Sequence, residues 1–435
     1  MNTVADVVVC GAGIVGSAAA YHLAVRQRVG RVIIVDEREP LTLTSDKGTH
    51  GYRNWWPGPD DTMLRFVSRS IDLLEESARE CGNAFRMNRR GYLFATADAE
   101  ELERMRARAT QVSAFGMGLL REHTDFATYE PHPAEGFEDQ PAGADLLIGE
   151  PARRAFPYLV DRTAGALHIR RAGTLNGVDL GALFLKQAIA NGATFVRDRV
   201  VGFEISNGAM RGVRLASGDV IDTPRIVLAA GPAVHEVGEM LGVSIPVSHE
   251  LHAKLTLRDT ARAVPRDAPF VIWNDPLTID GRALPGGAHL RPVDLTRGDE
   301  LYLIWTYETD TRPYEWPPRF AAHHAEILVR GCAAMIPAMQ QYVGGGARGL
   351  LDGGFYCKTR ENRPLIGRLD VDGAFICAAL SGFGIMSAHA AGELVSLHVA
   401  ERALPDYAAA FAPQRYDDAS YVARITAWGA GAGQL

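Results

Sequence analysis

The first apolar positions form a short β-branched run, Val7-Val8-Val9, which reads as a buried strand. Gly11-Ala12-Gly13-Ile14-Val15-Gly16 follows at once, then a small-residue helix from Ser17 to Ala24. A second apolar strand, Arg31 to Val35, ends on Asp36, twenty residues beyond Gly16. Each part suits a dinucleotide. Gly11 allows the tight turn, Gly13 lets backbone approach a pyrophosphate, and Gly16 lets the helix pack close to the sheet. Free N–H groups at the positive end of the helix dipole then face the phosphates. Asp36 is placed to accept from ribose hydroxyls. Strand, glycine turn, helix and acid occur together, which favours dinucleotide binding over a chance glycine turn.

The polar, glycine-rich stretch after Asp36 has no clear periodicity and contains Trp55 and Trp56, so it reads as a long functional loop. Met63, Leu64, Val67, Ile71 and Leu74 then fall at helical spacing, with Asp60 or Asp61 as N-cap. A strand is predicted over Gly91 to Ala95 and an amphipathic helix over Ala99 to Val112. Residues 122–150, rich in Pro, Gly, His and acids, read as a surface excursion without an assigned role. A helix from Leu180 to Asn191, closed by Gly192, precedes strands at 194–197, 200–205 and 211–215. The turns Asn207-Gly208 and Ser217-Gly218 make this a β-meander. It leads into a glycine-ended strand, Ile226 to Gly231, at the carboxyl edge of the sheet, where open α/β sheets bind ligands. Between 246 and 345, strands at 251–257, 270–273, 288–291 and 301–307, then a helix over 318–335, predict a mostly antiparallel sheet. A last strand, Phe375 to Ala378, a glycine loop from Leu380 to Met386 and a helix from Ser387 to Ala400 bring the nucleotide-binding pattern back.

A chain of 435 residues has room for two full cores. Its 47% hydrophobic and 22% charged residues are those of an ordinary soluble protein. A net charge of −7 and pI near 6.0 give no general attraction to nucleic acid or anionic membrane. The first apolar run is the nucleotide-binding strand itself, and no apolar stretch is long enough to span a bilayer, so neither a signal peptide nor a membrane span is expected. The five cysteines lie far apart without a CxxC pair, no metal-ligand spacing stands out, and a cytoplasmic location is expected.

Four segments, GAGIVGSAAAYHLA, VLAAGP, KTRENRPLIG and LSGFGIMSAHAAGEL, occur in that order. Together they resemble the D-amino-acid oxidase family of FAD-dependent oxidoreductases, in the branch of monomeric sarcosine oxidase, glycine oxidase and dimethylglycine-dehydrogenase-like proteins. The resemblance covers nearly the whole chain and is weakest over 96–160 and 250–345. It implies an α/β plus α+β fold: a discontinuous Rossmann-like FAD-binding domain with a β-meander (1–95, 160–245 and 346–435), and a substrate domain on a mostly antiparallel sheet (96–159 and 246–345). It implies FAD contacts from Gly11, Ala12, Gly13, Ile14, Val15 and Gly16, from Asp36 and Glu37 at the ribose, from the Val200 backbone at the adenine, and from Ala230 and Gly231. Gly382, Phe383, Gly384, Ile385 and Met386 would bring N–H groups and a helix N-terminus to the flavin pyrimidine edge, where negative charge gathers on reduction.

Departures from the family pattern carry information. Tyr356 stands where sarcosine oxidases carry the flavin-linked cysteine, with Cys357 one position along and so turned to the other face. Non-covalent FAD is therefore expected. Met386 replaces a carboxylate-binding lysine, and Lys358 is the candidate replacement cation. Arg53 is a second candidate, because a guanidinium binds carboxylate in bidentate fashion. His50 could be a pocket histidine, an FAD contact or a point of histidyl attachment. Tyr307 could project over the substrate face of the flavin. The expected reaction is oxidation of a C–N bond of a small secondary amine or amino acid, with O2 or another redox carrier as electron acceptor. Oxidases of this family often place a lysine over flavin N5, and 301–307 has none, which tilts the expectation towards a dehydrogenase. A 2-hydroxy-acid dehydrogenase and a flavin-binding subunit of an oxidase complex are the alternatives.

Overall fold

The computed structural model describes residues 3–133, 135–293, 298–345 and 349–428. Two sheets organise the chain. In the first, strands run in the order Thr194–Arg197, Val32–Asp36, Val7–Cys10, Ile226–Leu228, Ala374–Ala378, Leu365–Arg368. All neighbours are parallel except the last pair. The near-continuous Val, Ile and Leu runs follow from burial on both faces. Helices Ile14–Tyr21, Gly177–Ala190, Gly384–Val399 and Thr62–Glu80 pack together on one side, and a Cβ at Gly392 would run into the Ala18 backbone, so that glycine sets the closest helix approach. Asn176 caps its helix by accepting from the N–H groups of Val178 and Asp179, both at 3.1 Å. The meander forms a separate four-stranded sheet covering the other side, and its Asn207-Gly208 turn has positive φ at both residues (53° and 74°), as a two-residue hairpin requires.

The second sheet has nine strands, in the order Gly349–Lys358, Ser248–Arg258, Glu300–Ile304, Ala288–Pro292, Phe270–Trp273, Tyr92–Thr96, Gly165–Ile169, Ala144–Ile148, Leu120–His123. Two neighbouring pairs are parallel, 270–273 with 92–96 and 120–123 with 144–148, and the rest antiparallel. Strands 92–96, 165–169 and 349–358 belong to this sheet although the sequence segmentation grouped them with the nucleotide-binding pattern. The stretch read as a surface excursion supplies strand 144–148 and part of the edge strand 120–123 beside it, anchored where buried Asp145 accepts from Arg121 and His123. One face of the sheet is apolar: Leu93, Val271, Leu290, Leu301, Leu303 and Trp305 pack beneath helix His324–Met335. The other face turns towards the first sheet. That face carries the chemistry.

Candidate active site

A cleft of about 970 Å³, part of it open solvent, runs along the carboxyl edge of the parallel sheet. Gly11, Gly13, Ile14 and Val15 line one end with Asp36, Ala230 and Gly231, and Gly382, Gly384 and Ile385 line the other. Gly11 has φ of +110°, and a Cβ there would strike the Ala229 carbonyl. A Cβ at Gly16 would overlap the Gly11 carbonyl oxygen. Asp36 braces the turn, its carboxylate accepting from Ala12 N–H at 2.7 Å and Arg38 N–H at 2.9 Å. Each oxygen keeps a lone pair for a ribose hydroxyl. Ser45 Oγ takes the Ile14 N–H at 2.9 Å.

Two helices begin at this cavity, Ile14–Tyr21 behind Gly13 and Gly384–Val399 behind Phe383, and neither N-cap residue offers a side-chain cap. Ser45 Oγ takes one N–H of the first helix, and the N-termini of both, aimed into one space, make it a receptor for anionic and electron-rich groups. A dinucleotide with a pyrophosphate in the middle and a reducible ring at one end fits this pair. Gly16→Ala is expected to yield protein without bound FAD, measured as visible flavin absorbance per polypeptide, because the added methyl has nowhere to go.

Among the other residues assigned to the cofactor, Phe383 packs edge-on against Trp56 at 4.9 Å and Met386 is buried in the helix core. The Val200 side chain packs with Phe203 and Val213 beneath the meander, outside the residues lining the cavity. Arg38 and Glu39 line it, and Glu37 does not. Cys357 lines it as well, but burial pushes the thiol up to about 12, which keeps it protonated and unreactive.

Tyr356 is the wall between the cavity and the sheet face. A Cβ at Gly382 would hit its ring, and on its other side it stacks on His252 at 4.0 Å. The strand SHELHAKLT alternates polar Ser248, Glu250, His252, Lys254 and Thr256 with less polar residues. Such alternation normally marks a half-solvated strand, yet Glu250, His252 and Lys254 are all buried. Sequence reasoning passed over them for that reason. Glu250 is the hub: Lys358 Nζ donates to Oε1 at 2.8 Å and His252 Nε2 lies 3.1 Å from Oε2. Burial pushes the Glu250 carboxyl up, but hydrogen bonds from His252 and Lys358 outweigh it and hold it below the usual range. Lys254 Nζ donates to the Asp46 carbonyl at 3.0 Å and sits 4.6 Å over the Tyr302 ring.

This geometry corrects three assignments. Lys358 is no free clamp, because its charge is neutralised by Glu250. Lys358→Met is expected to cost about 3 kcal/mol of stability by leaving a buried carboxylate unpaired, and Glu250→Gln in the same chain to recover most of it, measured by denaturant unfolding. Tyr307 lies on the opposite face, packed against Trp305 and His324, since it shares the period-two register of Leu301, Leu303 and Trp305. Tyr302 takes the site-facing register instead. His50 has both ring nitrogens occupied, Nδ1 accepting from Gly177 N–H and Nε2 facing the Ser45 carbonyl, each at 3.1 Å. It pins the loop after Asp36 to the start of helix Gly177–Ala190, and that use of both nitrogens argues against histidyl attachment.

Arg53 is different. It sits at the end of strand Gly51–Arg53, buried, 5.4 Å from the Tyr92 ring centroid and 5.9 Å from that of Trp56. It makes no ion pair with any described residue, and its Nε has no hydrogen-bond partner. Burial lowers its affinity for its proton, partly offset by the Tyr92 phenol. Tyr92 stacks on Phe270 (4.2 Å, 5° between planes), and Phe270 on His289 (5.3 Å). Arg53, Tyr92, Phe270, His289, His252 and Tyr356 thus form a belt of aromatic and cationic groups over one face of the sheet, with Tyr356 joining it to the cavity.

Comparison with known proteins agrees with this geometry. The family described as DAO, FAD dependent oxidoreductase, matches residues 6–397, so the chain belongs to that family, and its cofactor is FAD. It is 23% identical over 410 residues to mitochondrial sarcosine dehydrogenase of Mus musculus, covering 90% of this chain and 39% of that protein. The chain therefore spans about two-fifths of the length of that relative. Among solved structures, L-proline dehydrogenase from P. horikoshii superposes with a TM-score of 0.78 at 23% identity over 96% of this chain and 99% of that one. Iminodiacetate oxidase from Chelativorans sp. BNC1 gives 0.72 at 21% identity, over 94% and 98%. No helix among the described residues is long and apolar enough to cross a membrane.

Proposed function

We propose that this protein oxidises the C–N bond of a small secondary amine or amino acid that carries a carboxylate, giving an imine that water hydrolyses. The reading is supported above all by Arg53, a buried guanidinium with no counter-ion among the described residues. Leaving a cation uncompensated costs stability, and a chain keeps one when a ligand completes the pair. A bound flavin supplies the hydride acceptor. The chain's own work is to bind and orient: Arg53 holds the substrate carboxylate, the Tyr92–Phe270 stack and Trp56 exclude water around it, and the uncapped N-terminus of helix Gly384–Val399 stabilises negative charge at the far end of the cavity. The names of the relatives, which act on sarcosine, proline and iminodiacetate, support the same substrate class.

Anaerobic titration of the yellow protein with a panel of carboxylate-bearing secondary amines, amino acids and 2-hydroxy acids tests this. Bleaching by amines is expected. Bleaching by hydroxy acids alone would instead make the carboxylate-backed His252 a base for an alcohol. The acceptor is proposed to be a redox carrier other than O2, since Lys254 is tied to the Asp46 carbonyl and to Asp352. Slow reoxidation by air in stopped flow is the expected result.

A further inference from the structure

Two histidines on the site-facing side of the sheet have their tautomers set by their partners. His289 Nδ1 lies 2.8 Å from the Gly287 carbonyl, which only accepts, so Nδ1 carries the proton and Nε2 is bare. His252 Nε2 faces the Glu250 carboxylate at 3.1 Å, which likewise only accepts, so in the neutral ring Nδ1 is bare. Neither bare nitrogen has a hydrogen-bond partner among the described residues, and neither is sealed off with the buried, unpartnered polar atoms. Burial, with the charge of Arg53, pushes His289 down to about 4, and burial lowers His252, which favours the neutral form of both rings near pH 7. His289 nevertheless keeps part of its surface accessible. Its ring is thus buried among neighbouring groups without being closed off on every side.

We propose that His289 Nε2 and His252 Nδ1 form the subsite for the substrate nitrogen, two lone-pair acceptors matched to the N–H bonds of an amine whose carboxylate is held by Arg53. This rests on the function proposed above and adds a selection rule. Acceptors without a hydrogen of their own reward an N–H and leave an ether oxygen facing two lone pairs. The site should therefore favour a secondary amino acid over the ether acid in which oxygen replaces the N–H. Both acids offer the same carboxylate to Arg53, so the difference reads the nitrogen end of the ligand, and the loss of that difference in a His289 variant assigns it to the subsite.

The test is calorimetric titration of the FAD-loaded protein, its flavin first reduced chemically under anaerobic conditions so that no amine can turn over, with such an amine–ether pair. The expected preference for the amine is about tenfold, the equivalent of one or two neutral hydrogen bonds. His289→Met should erase most of that preference while leaving the affinity for the ether acid nearly unchanged. His289→Gln, whose Oε1 can reach the same place as an acceptor, should restore it. Equal binding of amine and ether by the parent protein, or an undiminished preference in His289→Met, would overturn the subsite. A retained preference with no flavin bleaching by any amine would sink the proposed reaction and leave the subsite standing. A variant that fails to fold is recognised by lost ether-acid binding, and His289→Gln then decides.

Discussion

Arg53→Met is expected to raise KM for a carboxylate-bearing amine by roughly 10- to 100-fold with little change in kcat, and at the same time to make the ligand-free protein more stable. A charge-assisted, bidentate contact is worth about 1.5–3 kcal/mol. It is made to a part of the substrate that does not react, so it is felt equally in ground and transition states, which places the loss in KM. The opposite sign for stability follows because no described residue supplies a counter-ion. Methionine keeps most of the volume against Trp56 and Tyr92 while removing an uncompensated buried charge, a change worth about 1–3 kcal/mol. Steady-state kinetics and denaturant unfolding of the same preparation check both halves. A destabilised variant with unchanged KM would make Arg53 a cation–π prop and nothing more.

That coupled outcome also shows where sequence reading stopped. The nucleotide-binding half was legible because its signals are local. Gly16 and Asp36 act through backbone contacts inside the same strand–turn–helix unit, and Gly11 through the positive φ of its own turn. The substrate face was not, because its logic lies in which side of a sheet is covered. Leu301 to Tyr307 alternates cleanly, but nothing in the residues says that helix His324–Met335 lies over the odd positions and leaves Tyr302 to the site. The strand over 251–257 was legible, but which face its polar positions Glu250, His252 and Lys254 take, and that they are buried, was not. Lys358 was singled out by position and misjudged by charge. Its partner, Glu250, lies 108 residues away, on a strand whose antiparallel register with 349–358 is a tertiary fact. Residues 122–150 failed differently: their polar composition masked strand 144–148 and part of the edge strand 120–123, held by Asp145.

The second large effect concerns pH and the two helices whose N-termini meet the cofactor. His22, at the π-helical turn that continues helix Ile14–Tyr21, sits 2.8 Å through Nε2 from Nδ1 of His389 on helix Gly384–Val399, and His389 Nε2 sits 2.9 Å from Ser77 Oγ. Both rings are fully buried. Burial drives His389 down to about 3 and His22 well below its ordinary value, with mutual repulsion and the charges of Arg26 and Arg69 acting in the same direction. The unfolded chain binds these two protons near pH 6.5 and the folded chain does not, so stability is fully present above pH 6.5 and falls as the pH drops towards about 3. Each histidine contributes up to about 1.4 kcal/mol per pH unit in that window, reached only well below pH 6.5, so the pair costs about 3 kcal/mol between pH 6.5 and about pH 5. Carboxylates held low by arginines, such as Asp145 and Glu101, titrate below this range and do not blur it. Other buried histidines, His168 among them, add to the slope in parent and variant alike and cancel in the difference. A His22→Gln/His389→Gln chain keeps polar side chains in the chain of contacts but cannot take up the protons. Its unfolding free energy should therefore fall less steeply between pH 6.5 and about pH 5, by nearly the whole contribution of the pair. Because protonation parts the two helices that cradle opposite ends of the cavity, loss of FAD to a filtrate should follow the same pH window in the parent and shift to lower pH in the variant. Parallel unfolding slopes would show that the buried rings are solvated on a path the packing conceals.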